Sequence, residues 1–304
     1  MTSPEFDVSH EGGRSAMWLS SDRLDACLRY FREHSIDTLI INTSRGFKSR
    51  DLSFLRDHPY VEDLEIVLPL RGSMDLTPLS ALRSLKRLYL SDAVPIDLSQ
   101  FPLLGFFRGA WHKDLHLEGC PLKDLGLRKY RAKTRDLTSL PPTPTLEALH
   151  FVDSDVLSLR GLAAFPHVRH AEFAYLPKVE SLEEVQTLRE LEFLTFDTCR
   201  KLRDHAVVVA LQKLKTLRFN ECGPMATLSF LDSMPNLQEF RFVGTDVVDG
   251  DLHYLLRLAS VAFTSKRHFS HKQRDVPGCK PLGPSNPVLE ADSSLAGGSS
   301  SRAK

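Results

Sequence analysis

In the second half of the chain the same order of apolar and polar positions returns every 22 or 23 residues. Phe151, Phe173, Phe196, Phe219 and Phe242 form one apolar column. Leu146, Val168, Leu191, Leu214 and Leu237 stand five positions earlier, and Leu149, Ala171, Leu194, Leu217 and Phe240 two earlier. Apolar and intervening residues alternate here, the period of a strand that buries one face. A fixed period of this length marks a repeat protein, in which each turn buries its apolar side by stacking on the next. The unit, L-x-x-L-x-L, predicts one short strand per turn and a return segment after it.

Outward from these units the strand pattern recurs at Leu39-Ile40-Ile41, Leu64-Glu65-Ile66 and Leu88-Tyr89-Leu90, and less regularly at Phe107-Arg108-Gly109 and Leu125-Gly126-Leu127. Leu115-His116-Leu117 imitates a strand as well. Spacing favours Phe107 and Leu125, which give steps of 19, 18 and 24 between Leu88 and Leu149, against 27 and 34 for a strand at Leu115. An Asp-Leu pair at Asp51-Leu52, Asp75-Leu76, Asp97-Leu98 and Asp136-Leu137 predicts where return segments begin, the carboxylate capping a short helical turn. The expected organisation is an unstructured segment over 1–16, a capping helix within 17–35 started by Ser21 or Asp22, and a solenoid of ten or eleven turns over 36–264. A basic cap over 265–276 follows, and then a Pro-, Gly- and Ser-rich tail over 277–304.

The runs LQKLKTLRFNEC (211–222) and NLQEFRFVG (236–244) resemble the leucine-rich-repeat superfamily, and the 22-residue period with Asp-Leu returns resembles its internalin-type bacterial class. The endings FVGTDVVDGDLHYLL and KRHFSHK are similar to those of a set of small bacterial leucine-rich-repeat proteins. The resemblance spans about residues 36 to 263. It implies an α/β repeat, a leucine-rich-repeat solenoid with a curved parallel β-sheet on the concave face and short helical or irregular returns on the convex face. The superfamily expects asparagine, or sometimes cysteine, five positions after the first strand leucine. Here those positions are Ser44, Pro69, Ala93, His112, Tyr130, Ser154, Leu176, Cys199, Cys222 and Thr245, so the buried backbone groups need other partners.

Strand residues between the apolar ones face the open side of such a sheet. Arginine and aromatic side chains there offer large contact area with directional polar groups. Tyr89, Arg108, Arg128, Phe193, Arg218 and Arg241 are the candidate protein-binding residues, and Trp111 and Tyr130 are placed near that face. With 39 basic and 39 acidic residues the net charge is zero, which disfavours nucleic acid or an anionic membrane as the partner. The alternative, a nucleic-acid-binding solenoid, would use Arg87, Arg108, Arg128, Arg218 and Arg241.

An enzyme hidden in the irregular window 103–145 is a third reading. Against it, the chain holds no P-loop, H-E-x-x-H, G-x-S-x-G or paired C-x-x-C pattern, and Cys199 and Cys222 recur one repeat apart, as packing residues do. His268 and His271 in the basic segment lack further ligands, and Asp246 to Asp251 lacks the alternating acids of a calcium loop. The expectation is a non-catalytic scaffold without metal or cofactor. It is monomeric and cytoplasmic, with five reduced cysteines and no apolar run long enough to span a membrane.

Overall fold

Leu39, Leu64, Leu88, Phe107, Leu125 and Leu149 stand in lateral register on successive parallel strands, so an apolar column of the sequence becomes a row of the core. The computed structural model describes residues 6–67 and 74–280. The chain divides into two compact units, Met1–Val152 and Asp153–Lys304.

In the first unit β1 (Val8–Glu11) and β2 (Arg14–Trp18) pair antiparallel. The segment expected to be unstructured over 1–16 is therefore ordered from Val8 onward. The two residues between the strands, Gly12 and Gly13, both take positive φ, the conformation of the tight turn that matches strand twist. α1 (Leu24–Glu33) buries Cys27, Leu28 and Phe31. Ser21 does not cap it, because its hydroxyl accepts the backbone N–H groups of Lys48 and Ser49. Then come β3 (Thr38–Asn42), β4 (Asp63–Val67), β5 (Arg87–Leu90), β6 (Ile96–Asp97), β7 (Phe106–Ala110), β8 (Leu115–His116), β9 (Asp124–Arg128) and β10 (Ala148–Val152). The main sheet runs β1-β2-β3-β4-β5-β7-β9-β10. Phe107 and Leu125 supply its central strands as the spacing required, while the competing Leu115 segment pairs with β6 in a separate two-stranded sheet. The return signals act as read. Asp51, Asp75, Asp97 and Asp136 each accept the backbone N–H two residues on, from Ser53, Thr77, Ser99 and Thr138.

The second unit carries β11 (His170–Ala174), β12 (Phe193–Asp197), β13 (Thr216–Asn220), β14 (Glu239–Phe242) and β15 (Ser260–Phe263), parallel and in sequence order. Phe173, Phe196 and Phe219 pair laterally, with ring centroids 4.9 and 5.9 Å apart, and Phe242 stacks on Phe263 at 5.2 Å. Each ring is fully buried, worth about 1.5–3 kcal/mol relative to exposure.

In place of asparagines the ladder uses Cys199, Cys222 and Thr245. Their side chains donate to the carbonyls of Phe173, Phe196 and Phe219, at 3.7, 3.4 and 2.5 Å, and Thr245 Oγ1 also accepts the N–H of Cys222. Pro69, another ladder position, lies outside the described residues. The residue after each strand from β9 to β13 takes positive φ: Lys129, Asp153, Tyr175, Thr198 and Glu221. This recurrence at the repeat period makes the left-handed turn a device of the fold rather than a local strain.

The basic cap folds back. Phe269 is buried against Phe242 and Phe263, Lys266 and His268 face Asp246, and Lys272 Nζ donates to the carbonyl of Lys266. The tail expected from 277 is ordered through residue 280, where Val261 bridges Cys279. Residues 281–304 lie outside the described part.

Candidate functional site

On the open face of the first unit, alternation places Thr38, Asp63, Arg87, Phe106 and Asp124 in one row, and Glu65, Tyr89, Arg108, Gly126 and His150 in the next. Asp63 is nearly covered: it accepts from Thr38 Oγ1 at 3.1 Å and pairs with Arg14 and with Arg87 Nε. Burial pushes its carboxyl upward, against the pull of Arg87 and Arg14. The Arg87 guanidinium lies 3.6 Å from the centroid of Phe106, on whose ring Arg108 also converges at 5.1 Å.

Arg108 then reaches Asp124 at 3.4 Å and His150 Nε2 at 3.1 Å. Burial raises Asp124, but His150 and Arg108 outweigh it and hold the carboxyl below its usual range. Arg128 lies 5.6 Å from the Tyr89 ring centroid, and its Nη2 donates to the carbonyl of Ser91 at 2.8 Å.

The crossing of Arg108 depends on Gly126. A Cβ there would stand 2.7 Å from Arg108 Cγ, closer than side chains approach. Gly126→Ala is expected to swing Arg108 away from Asp124 and His150 and to cost about 1–3 kcal/mol by overpacking. Urea unfolding and the Arg108 Nε–Hε resonance read both effects; an unmoved resonance would show that the glycine is incidental.

On the second unit His170 bonds Glu172 at 2.8 Å and stacks on Phe193 at 4.1 Å between centroids. Arg218 lies 4.9 Å from Phe193 and donates through both Nε and Nη2 to Glu239 Oε1. Arg241 is the lateral neighbour of Arg218 on β14, and its Nε is enclosed without an acceptor among the described residues. Thr195, Asp197 and Asn220 are buried beside them.

All six candidate residues thus sit half-buried on open strand faces, three in each unit. Tyr89 meets Arg128, and Phe193 meets Arg218; Arg108 contacts neither Tyr89 nor Arg128 in a described bond but joins Phe106, Asp124 and His150. Sequence reasoning named Arg87 only for the nucleic-acid alternative, and Phe106 and His150, which strand alternation also turns to this face, were not singled out. It missed Arg14, on a strand too polar to register, and Gly126, whose signal was a glycine where the alternation calls for an outward side chain. Tyr130 is not on this face. It is fully buried, edge-on to Trp111 and Phe151, donates to the carbonyl of Asp136, and burial pushes its hydroxyl up to about 12.

No protein-family model matches the sequence, and no curated protein sequence matches it. Solved structures do. The internalin InlF of Listeria monocytogenes is similar at 15% identity over 83% of this chain and 73% of that one, with a TM-score of 0.53. Internalin C2 of the same species is similar at 18% identity over 64% of this chain and 77% of that one, with a TM-score of 0.41. The functional domain of InlJ, also from that species and including a cysteine ladder, is similar at 15% identity over 75% of this chain and 52% of that one, with a TM-score of 0.44. The parallel, register-locked strands with short helical returns are a leucine-rich-repeat fold of the internalin type.

Proposed function

We propose that this chain is a non-catalytic scaffold that binds another protein through the open strand faces. The observation that supports it best is their composition: guanidinium groups laid on aromatic rings and held by carboxylates, a rigid mixture of contact area and directional donors. Such side chains lose little freedom on binding, because the folded chain has already ordered them. The chain acts as a monomer, and steric covering of the partner's working surface is the simplest mode of action, as in an inhibitor or immunity-type protein. A cytoplasmic setting accords with Cys27, Cys120, Cys199, Cys222 and Cys279, all free thiols.

Against the nucleic-acid reading, Arg87, Arg108 and Arg218 are each paired with a carboxylate, so much of the positive charge that a phosphate backbone needs is already neutralised. Against a thiol nucleophile, Cys222 is bonded to backbone carbonyls and burial pushes its thiol well up, away from the reactive thiolate.

The test is affinity capture from lysate of the source organism, with wild type and a folded variant carrying Tyr89→Ala, Arg108→Ala, Arg128→Ala and Arg218→Ala as baits. One stoichiometric protein should be retained by wild type and fall to background with the variant, since hot-spot truncations cost about 2 kcal/mol or more each. Equal retention by both baits would remove the open face from consideration. Retention abolished by nuclease would favour the nucleic-acid reading.

A further inference from the structure

A cavity of about 140 Å³ opens beyond the C-terminal ends of β5, β7 and β9, lined by Ser91, Asp92, Ala93, Ala110, Arg128 and Lys129. It is comparable in volume to a cavity that holds a six-carbon ring, and so has room for a small side chain. Its walls are held in place by backbone bonds, Trp111 N–H to the carbonyl of Arg128 and Lys129 N–H to that of Val152.

The arginine in this cavity differs from its neighbours. Arg87 and Arg108 are neutralised by Asp63 and Asp124, whereas Arg128 has no carboxylate within ion-pair distance among the described residues. One of its nitrogens is spent on Ser91 O and its face on Tyr89, which fix the guanidinium, and its Nε is enclosed without an acceptor. A fixed guanidinium whose charge no carboxylate among the described residues answers favours an anionic acceptor at its accessible edge.

We infer that this cavity is a carboxylate-binding pocket that receives an aspartate or glutamate side chain of the protein partner. The inference rests on the scaffold reading and names the chemistry of its anchor. Charge selects the ligand. Among the described lining residues Arg128 and Lys129 are cationic and Asp92, which has a partner of its own, is anionic; this positive excess suits a carboxylate monoanion better than a phosphate dianion.

The test titrates N-acetylaspartate N-methylamide onto the isotopically labelled full chain and follows the arginine Nε–Hε resonances, that of Arg128 being assigned by through-bond correlation to its own backbone amide, with Arg128→Gln as the variant expected not to bind. A saturable shift of the Arg128 signal is expected, with none from the neutral asparagine analogue. Lys129→Gln should weaken binding about two- to fivefold, and Asp92→Asn should tighten it by a similar factor, as for exposed charge pairs. A gain in affinity cannot arise from a loosened fold, which keeps the test decisive if Arg128→Gln unfolds.

The proposal is overturned if the neutral analogue shifts the signal equally, if Asp92→Asn leaves the affinity unchanged, or if inorganic phosphate binds more tightly than the aspartate probe. The titration needs no partner. A negative titration leaves a positive capture standing, and a positive titration with failed capture keeps the pocket while removing the scaffold.

Discussion

Phe196→Ala is expected to lower the unfolding free energy by about 3–5 kcal/mol, the range for truncating a buried aromatic residue. Its ring is fully buried and sandwiched between Phe173 and Phe219, with centroids 4.9 and 5.9 Å away, so truncation strips contacts from two neighbouring turns at once. Its carbonyl also accepts the Cys222 thiol, so slackening of β12 weakens a rung of the ladder. In a repeat architecture stability is largely a sum of nearest-neighbour interfaces, and this position belongs to two of them. Urea unfolding followed by circular dichroism measures the loss. Leu103→Ala is the control, since Leu103 is 55% exposed and its truncation should stay within about 0.5 kcal/mol. A loss below about 1 kcal/mol at Phe196 would mean that the aromatic column is not the spine of this unit.

Acidification should destabilise the second unit through His205. The imidazole is buried, edge-on to Phe219 at 4.7 Å, and its Nε2 has no hydrogen-bond partner among the described residues. Burial lowers its pKa to about 4, only partly opposed by Asp204. The unfolded chain takes up this proton near pH 6.5 and the folded one not until about pH 4, so between those values the unfolded state binds more protons. The stability contribution is fully present above pH 6.5 and is lost as pH falls toward 4, by up to about 3 kcal/mol. His205→Phe, similar in shape but without the titration, should flatten that part of the stability profile relative to wild type. Parallel profiles for the two proteins between pH 4 and 6.5 would sink the assignment.

Much of the fold was legible because a repeat states its own register. The apolar columns, the Asp-Leu returns and the direction of alternate side chains are local properties, and each reappears in the structure. The cysteines were legible for the same reason: Cys199 and Cys222 occupy equivalent positions one turn apart, and both bond a carbonyl of the preceding turn. The N-terminal hairpin was overlooked because Val8–Glu11 is too short and polar to show a buried face. Its Glu-Gly-Gly-Arg turn was the available signal. The four residues after Val276 looked like tail by composition, yet the pairing of Val261 with Cys279 holds them by backbone bonds, which composition does not encode.

The sequence alone determined the repeat, the inward and outward sets of residues, and the open faces on which the six candidates stand, since strand alternation depends only on neighbouring residues. Tertiary structure decided how those residues are used. Whether an arginine is neutralised or available depends on what a partner strand some 20 residues away sets beside it. Arg108 crosses Gly126 to Asp124 and His150, whereas Arg128 turns to Ser91 O and lines the cavity. Both are arginines at outward strand positions, and only the lateral packing of the sheet tells them apart.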